Sequence, residues 1–280
     1  MRSALVTGSS TGIGRATALR LDREGWRVFA GVRRDEDAES LRAEASDRLV
    51  PVRLDVTDAA QIAAAAERIE EAVGESGLDG VINNAGVAIL GPLETIPLED
   101  FRRQLEVNLT AQVAVAQAML PSIRRAQGRV VFVSSIGGRM ALPFGAPYHA
   151  AKFGIEAVAD CLRQELRPWR IAVSVIEPGS IDTPIWERGE RIADEIAQRS
   201  PSAQEELYGE TIERFRKAVR RTAERGIPPE KVAAAICHAL SASRPRTRYL
   251  VGADARGQAL AARFLPARVM DAVVRRVMRI

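Results

Sequence analysis

Short apolar runs alternate along this chain with stretches whose apolar positions recur every three to four residues. The runs fall at 4–6, 27–31, 50–54, 80–83, 130–134, 172–176 and 249–251. Near-continuous apolar strands of this kind are expected where both faces of a parallel sheet are covered. Helical periods fill the gaps, at 13–24, 36–46, 59–73, 98–124, 146–166 and 229–241. Repeated βαβ alternation predicts an α/β fold: one domain, doubly wound, with a seven-stranded parallel sheet and helices on both faces. In such a sheet the ligand site lies beyond the carboxyl ends of the strands.

Two segments depart from that rhythm. Residues 184–226 form a long insertion on the side expected to face the substrate. Within it Leu207, Tyr208, Thr211, Ile212, Phe215 and Val219 recur at the spacing of an amphipathic helix. The second segment is a tail, 254–280, set off from a catalytic domain spanning 1–253. There Pro266 could start a helix carrying Val269, Met270, Val273, Val274 and Val277 on one side, with Arg268, Arg275, Arg276 and Arg279 mostly elsewhere. A basic amphipathic helix can lie on an anionic membrane. Packing against the domain near the substrate entrance is the commoner fate and the one expected here.

Composition narrows the class. With 280 residues, 46% apolar and 27% charged, the chain suits one α/β domain with a substantial core. A formal charge of +4 does not imply nucleic acid. Cys161 and Cys237 are too few for a disulfide framework and lack metal-ligand spacing, which suits a reducing cytoplasm and no metal. Met1 leads almost directly into a strand, so no leader is expected, and no apolar run reaches membrane-spanning length.

Two motifs carry chemistry. Tyr148 and Lys152 stand four residues apart in a helical stretch, so their side chains share a face. An ammonium beside a phenol lowers the phenol pKa and makes the pair a candidate general acid/base. Of 40 basic residues only Lys152, Lys217 and Lys231 are lysine, in a chain that otherwise writes arginine. At the other motif, Gly8, Gly12 and Gly14 link a strand to a helix, a turn that brings backbone amides close to a pyrophosphate.

Together these motifs make the sequence resemble the short-chain dehydrogenase/reductase family, whose fold is a single-domain Rossmann fold. The likeness runs from about Ser3 to Thr183, with a weaker end near Tyr249 to Gly252. The resemblance implies a cofactor site built from Gly8, Ser9, Thr11, Gly12, Ile13 and Gly14, from Asp55 and Val56, and from Asn83, Ala85 and Gly86. It adds Pro178, Gly179, Ile181 and Thr183 after the sixth strand, with Tyr148 and Lys152 gripping the nicotinamide end. It also implies that Tyr148 exchanges the proton and Ser135 steadies the substrate oxygen. Lys152 would tune Tyr148, and Asn108 would hold a water joining Lys152 to solvent.

At the end of the second strand, where an NAD enzyme usually carries an acid, the chain has Gly31-Val32-Arg33-Arg34. Arg33 is placed to meet a 2′-phosphate, with Ser9 as a second contact and Asp35 as the following helix's N-cap, so NADP(H) is favoured over NAD(H). Met140, Leu142, Pro143, Phe144, Ile185, Trp186 and the insertion helix predict an apolar pocket. Residues 134–148 look like the branch containing 17β-hydroxysteroid and retinol dehydrogenases, which implies a small hydrophobic alcohol or carbonyl substrate. The alternatives are a 3-oxoacyl-thioester reductase and a non-catalytic NADP-binding scaffold. His149 and His238 read as packing residues, and Cys161 as a buried thiol. Small residues along 98–124, among them Ala111, Ala114 and Ala118, together with the family's habit, predict a homodimer or homotetramer.

Overall fold

The fold is described by a computed structural model covering residues 1–199 and 201–278, without the side chains of 201–204. Arg279 of the tail lies outside the described residues. Seven parallel strands form one sheet in the order β3-β2-β1-β4-β5-β6-β7. They are β1 (Ser3–Val6), β2 (Arg27–Val32), β3 (Leu49–Arg53), β4 (Gly80–Asn83), β5 (Arg129–Val133), β6 (Ala172–Pro178) and β7 (Arg248–Val251). The order reverses at β1, whose neighbours are β2 and β4, and that switch point opens a crevice above the strand ends.

Successive strand residues feed opposite layers, as the pleat requires. Leu5, Val81 and Val130 enter the layer shared with α3 (Ala59–Val73), α5 (Ala111–Ala126) and α6 (Ala146–Glu165). Val6, Ile82 and Val131 enter the opposite layer, with α1 (Gly12–Arg23), α2 (Asp35–Arg42) and α9 (Pro229–Ser241). Two packed layers explain why these strands read as unbroken apolar runs.

The segment read as one helix over 98–124 is three elements. These are α4 (Leu98–Leu105), a π-helical turn at Glu106–Thr110 and α5, which continues past Pro121 to a left-handed cap at Gln127. Apolar periodicity does not register a single extra residue in the turn. The second helix starts at Asp35 with Arg34 in the cap position and no side-chain cap. Asp35 is thus a first-turn residue whose exposed carboxylate meets Arg53 at 3.4 Å, not the N-cap. Cys161 is exposed and Cys237 buried: a helix of 3.6 residues per turn carries Cys161 away from the inner stripe of Ile155 and Ala159.

The insertion forms two helices, α7 (Ile185–Arg199) and α8 (Pro201–Ala223), joined by ion pairs Arg216–Asp194 at 2.7 Å and Arg220–Glu190 at 2.8 Å. The tail also forms two, α10 (Ala253–Phe264) and α11 (Ala267–Met278). No helix among the described residues is long and apolar enough to cross a membrane.

Candidate active site

A cavity of about 1240 Å³ follows the strand ends from the first glycine turn to the tail. That exceeds the volume a single drug-sized ligand needs. At its first end the turn after β1 is shaped by packing. Gly8 and Gly12 have φ of +66° and +56°, a region that favours glycine. A Cβ on Gly14 would lie 2.1 Å from the Gly8 carbonyl oxygen. Thr7 ties the turn to β4: its Oγ1 accepts from the backbone N–H groups of Asn84 at 2.9 Å and Ala85 at 3.0 Å. The Asn84 amide donates to the carbonyl of Thr7 at 2.9 Å.

The α1 N-terminus that the turn presents has no side-chain cap and no acid in its first turn, so its amides and dipole suit an anion. The close backbone approach and the uncapped helix end fit a dinucleotide. Gly8, Ser10, Thr11, Gly12, Ile13, Arg33, Asp55, Val56, Ala85, Gly86, Pro178, Gly179, Ile181 and Thr183 line the cavity. Ser9, Gly14 and Asn83 do not. Ser9 is fully buried and its hydroxyl donates to the Val6 carbonyl at 2.8 Å, so no second contact to a 2′-phosphate comes from it. Gly14 and Asn83 act beneath the surface, Asn83 within the fully buried strand end.

Arg33 stands at the rim, 70% exposed, with its guanidinium 4.0 Å from Asp55. Arg34 turns away to pair with Asp37 at 2.9 Å. Arg188, from α7, reaches Thr11 Oγ1 at 3.1 Å. Together with Arg34 and Arg33 it holds the Asp37 carboxyl below its ordinary range, Arg34 contributing most. Arg188 escaped sequence reasoning because 177 positions separate it from Thr11.

The middle of the cavity gathers Ser135, Tyr148 and Lys152. Ser135 precedes a 3₁₀ turn (Ile136–Gly138), and its Oγ accepts from the Gly137 N–H at 3.0 Å, which leaves its hydrogen free to donate. Lys152 is 5% exposed; its ammonium donates to the Val133 carbonyl at 2.8 Å and lies 5.8 Å from the centre of the Tyr148 ring. Burial pushes the Lys152 pKa down to about 8, with Glu156 opposing. Burial likewise pushes Tyr148 up, with the Ser135 hydroxyl opposing. Burial therefore works against the expected lowering of Tyr148, and it is the Ser135 hydroxyl that opposes burial.

Asn108 sits in the π-helical turn, fully buried, and its amide is spent on Val87: Oδ1 accepts from the N–H at 2.9 Å and Nδ2 donates to the carbonyl at 2.9 Å. Its side chain thus anchors the loop after β4. Gln104 and Gln112, one turn before and after, do the same. Gln104 meets Ile89 N–H at 2.7 Å and the Val87 carbonyl at 3.0 Å, and Gln112 donates to Ala85 at 3.2 Å. Nothing in the pattern of isolated amides marked the two glutamines. His149 is a buried bridge, with Nδ1 at 2.8 Å from the Gly137 carbonyl and Nε2 accepting from Leu142 N–H at 3.0 Å. That network assigns the neutral Nδ1–H tautomer. His238 is exposed and meets the Tyr249 hydroxyl at 2.9 Å.

The far end of the cavity is largely apolar: Met140, Leu142, Pro143, Ile185, Trp186, Ile192, Phe215 and Val219. Phe144 is not among the lining residues; it packs edge-on to Phe215 and Tyr208, with ring centres 5.2 and 6.2 Å away. The tail completes this end, with Met270, Val273, Val274, Val277 and Met278 facing the cavity. Asp254 pins the turn after β6, accepting from the Ser180 N–H at 2.7 Å.

Residues 2–192 match the family model described as short chain dehydrogenase. Retinol dehydrogenase 5 of Mus musculus is 41% identical over 275 residues, covering 96% of this chain and 86% of that protein. The 17-beta-hydroxysteroid dehydrogenase type 6 of Bos taurus is 40% identical over 279 residues, covering 97% and 87%. A solved short chain dehydrogenase from Burkholderia cenocepacia J2315, in complex with NADP, is 26% identical with a TM-score of 0.73, covering 98% of this chain and 99% of that one.

Proposed function

Because this chain belongs to the short-chain dehydrogenase/reductase family and is an oxidoreductase of alcohols and their carbonyl partners, we propose the following site. It interconverts a hydrophobic primary or secondary alcohol and its aldehyde or ketone, with NADP(H) as coenzyme, in the cytoplasm. The observation that carries this reading is one continuous cavity. It runs from an uncapped helix end, past the Tyr148–Lys152–Ser135 group, to an apolar chamber lined by the insertion and the tail. The names of the two mammalian relatives, for retinol and for a 17β-hydroxysteroid, fit a chamber of that polarity.

A bound nicotinamide supplies or accepts the hydride. Tyr148, whose phenol burial raises further above its ordinary range, is a proton donor to a carbonyl oxygen and suits the reductive direction. Ser135 donates to the same oxygen. Lys152 anchors the ribose side of the site. Arg33 and Arg188, both lining the cavity, give a positive rim for the 2′-phosphate, and no acid on β2 competes for it.

The test is NADPH oxidation with a panel of hydrophobic ketones and aldehydes. Tyr148→Phe should reduce kcat at least about 10²-fold while NADPH binding, read by fluorescence, is nearly unchanged. Wild-type turnover in Tyr148→Phe sinks the mechanism.

A further inference from the structure

Directly behind the catalytic lysine lies a buried charge cluster that the chemistry above does not use. Glu177, on β6 beside Pro178, is 0% exposed, and Glu156, one turn after Lys152 on α6, is 8% exposed. The Arg248 side chain, from β7, joins them: its Nε lies 3.1 Å from Glu156 Oε2 and 3.2 Å from Glu177 Oε1. Its Nη2 donates to Asp160 Oδ2 at 2.8 Å. Arg139, just past the 3₁₀ turn that follows Ser135, donates to Glu177 at 2.8 Å.

The cluster presses on the active-site backbone. A Cβ on Gly138 would stand 2.8 Å from Ser134 Oγ, 2.9 Å from the Lys152 carbonyl oxygen and 3.0 Å from Glu156 Cγ. Glu177 Oε2 and Arg139 Nε are buried without a hydrogen-bond partner. Charges so placed act on their surroundings through a low effective dielectric rather than through direct bonds. Glu156 follows Lys152 by four residues on α6, so the two side chains share one face of the helix.

We propose that Glu156 is a positioning residue for Lys152: its buried carboxylate, one helical turn beyond the lysine and fixed by Arg248, supplies negative charge on the face of α6 that carries the desolvated ammonium. The groups facing Glu156 are Glu177 from β6, Arg248 from β7, Ser134 at the end of β5, and Lys152 and Asp160 on its own helix, with Arg139 behind Glu177. Burial, and next Glu177, hold Glu156 above the usual carboxylate range, while the Ser134 hydroxyl and Arg248 pull it back toward the ionised form. Glu156 in turn opposes the desolvation that lowers Lys152. The role deepens the Tyr148–Lys152 reading and rests on it.

The test reads Lys152 without turnover. The chain has three lysines, Lys152, Lys217 and Lys231, so protein labelled with ¹³C at lysine Cε gives three resonances, and Lys152→Met assigns one. The wild-type Lys152 midpoint is expected at about 8. Glu156→Gln should lower it by about one pH unit, the scale of one lost charge nearby. Glu156→Met, whose apolar side chain leaves no unpaired polar atom, should lower it equally and serves should the glutamine variant not fold. Asp160→Asn, which loses an Arg248 contact but no charge beside Lys152, should leave it in place. The pH profile of kcat/KM should move with the resonance. The inference is overturned if the charge-removing variant that folds keeps the wild-type midpoint, or if Asp160→Asn lowers it as far. The two readings fail separately: wild-type turnover in Lys152→Met defeats the catalytic reading, and an unmoved midpoint in an active enzyme defeats this one.

Discussion

Gly14→Ala should cost both stability and coenzyme affinity although Gly14 does not line the cavity. Its new Cβ would lie 2.1 Å from the Gly8 oxygen, 2.5 Å from Asn84 Nδ2 and 2.8 Å from the Gly8 carbonyl carbon, all inside the 3.0 Å that real Cβ atoms observe. Neither neighbour can swing away. The Gly8 oxygen is backbone, and Asn84 Nδ2 is held by the carbonyls of Thr7 at 2.9 Å and Gly8 at 3.3 Å. Helix α1 must therefore lift from the turn by nearly 1 Å. Overpacking costs about 1–3 kcal/mol and the two Asn84 bonds about 1 kcal/mol each, so roughly 3–5 kcal/mol in all. At about 2.1 cal/mol/K per residue over 280 residues, that corresponds to a fall in Tm of roughly 5–9 °C.

The same displacement moves the α1 amides off the coenzyme position, so NADPH affinity should fall by about tenfold or more, the equivalent of 1.4 kcal/mol or more. Thermal melting and NADPH fluorescence titration measure the two effects. Gly25→Ala is the control: its φ is +81° but its Cβ would meet nothing within 4 Å, so about 1 kcal/mol of backbone strain is expected and no loss of affinity. Wild-type Tm and affinity in Gly14→Ala would refute the packing argument.

The coenzyme rim gives a second prediction. Arg33→Asp should shrink or reverse a preference for NADPH over NADH, and Arg188→Ala should weaken NADPH binding more than NADH binding, each by about tenfold; equal wild-type kcat/KM for the two coenzymes would refute it. Stability should also depend on His149, whose pKa burial depresses below 6.5 against the opposing Gly137 carbonyl. The folded state resists that proton, so its contribution is complete above 6.5 and is lost as pH falls below it. His149→Gln should flatten Tm against pH in that window, and an unchanged slope would refute the assignment. Finally, the outer face of α6 exposes Ala150, Phe153, Ala157 and Cys161, an apolar stripe suited to a second copy of the chain. Sedimentation should show a dimer or tetramer that Phe153→Asp dissociates, and a 30 kDa species alone in the wild type would count against it.

Local pattern was enough for the seven strands, because a strand buried on both faces must be apolar throughout, and β4 at 80–83 and α3 at 59–73 were bounded from sequence alone. It was enough for Tyr148 and Lys152, whose meeting depends only on one helical turn, and for the glycines, whose role depends on a few adjacent dihedrals. Tertiary structure decided whatever needed distant residues to converge. It set Ser9 under Val6, spent the Asn108 amide on Val87, and carried Arg188 to Thr11. It raised the Tyr148 pKa through burial that no spacing encodes, and it assembled Glu156, Glu177, Arg139 and Arg248 from four separate elements. A helix pattern states which face is apolar; only the folded chain states how deeply a polar group on the other face is buried, and desolvation depends on that depth.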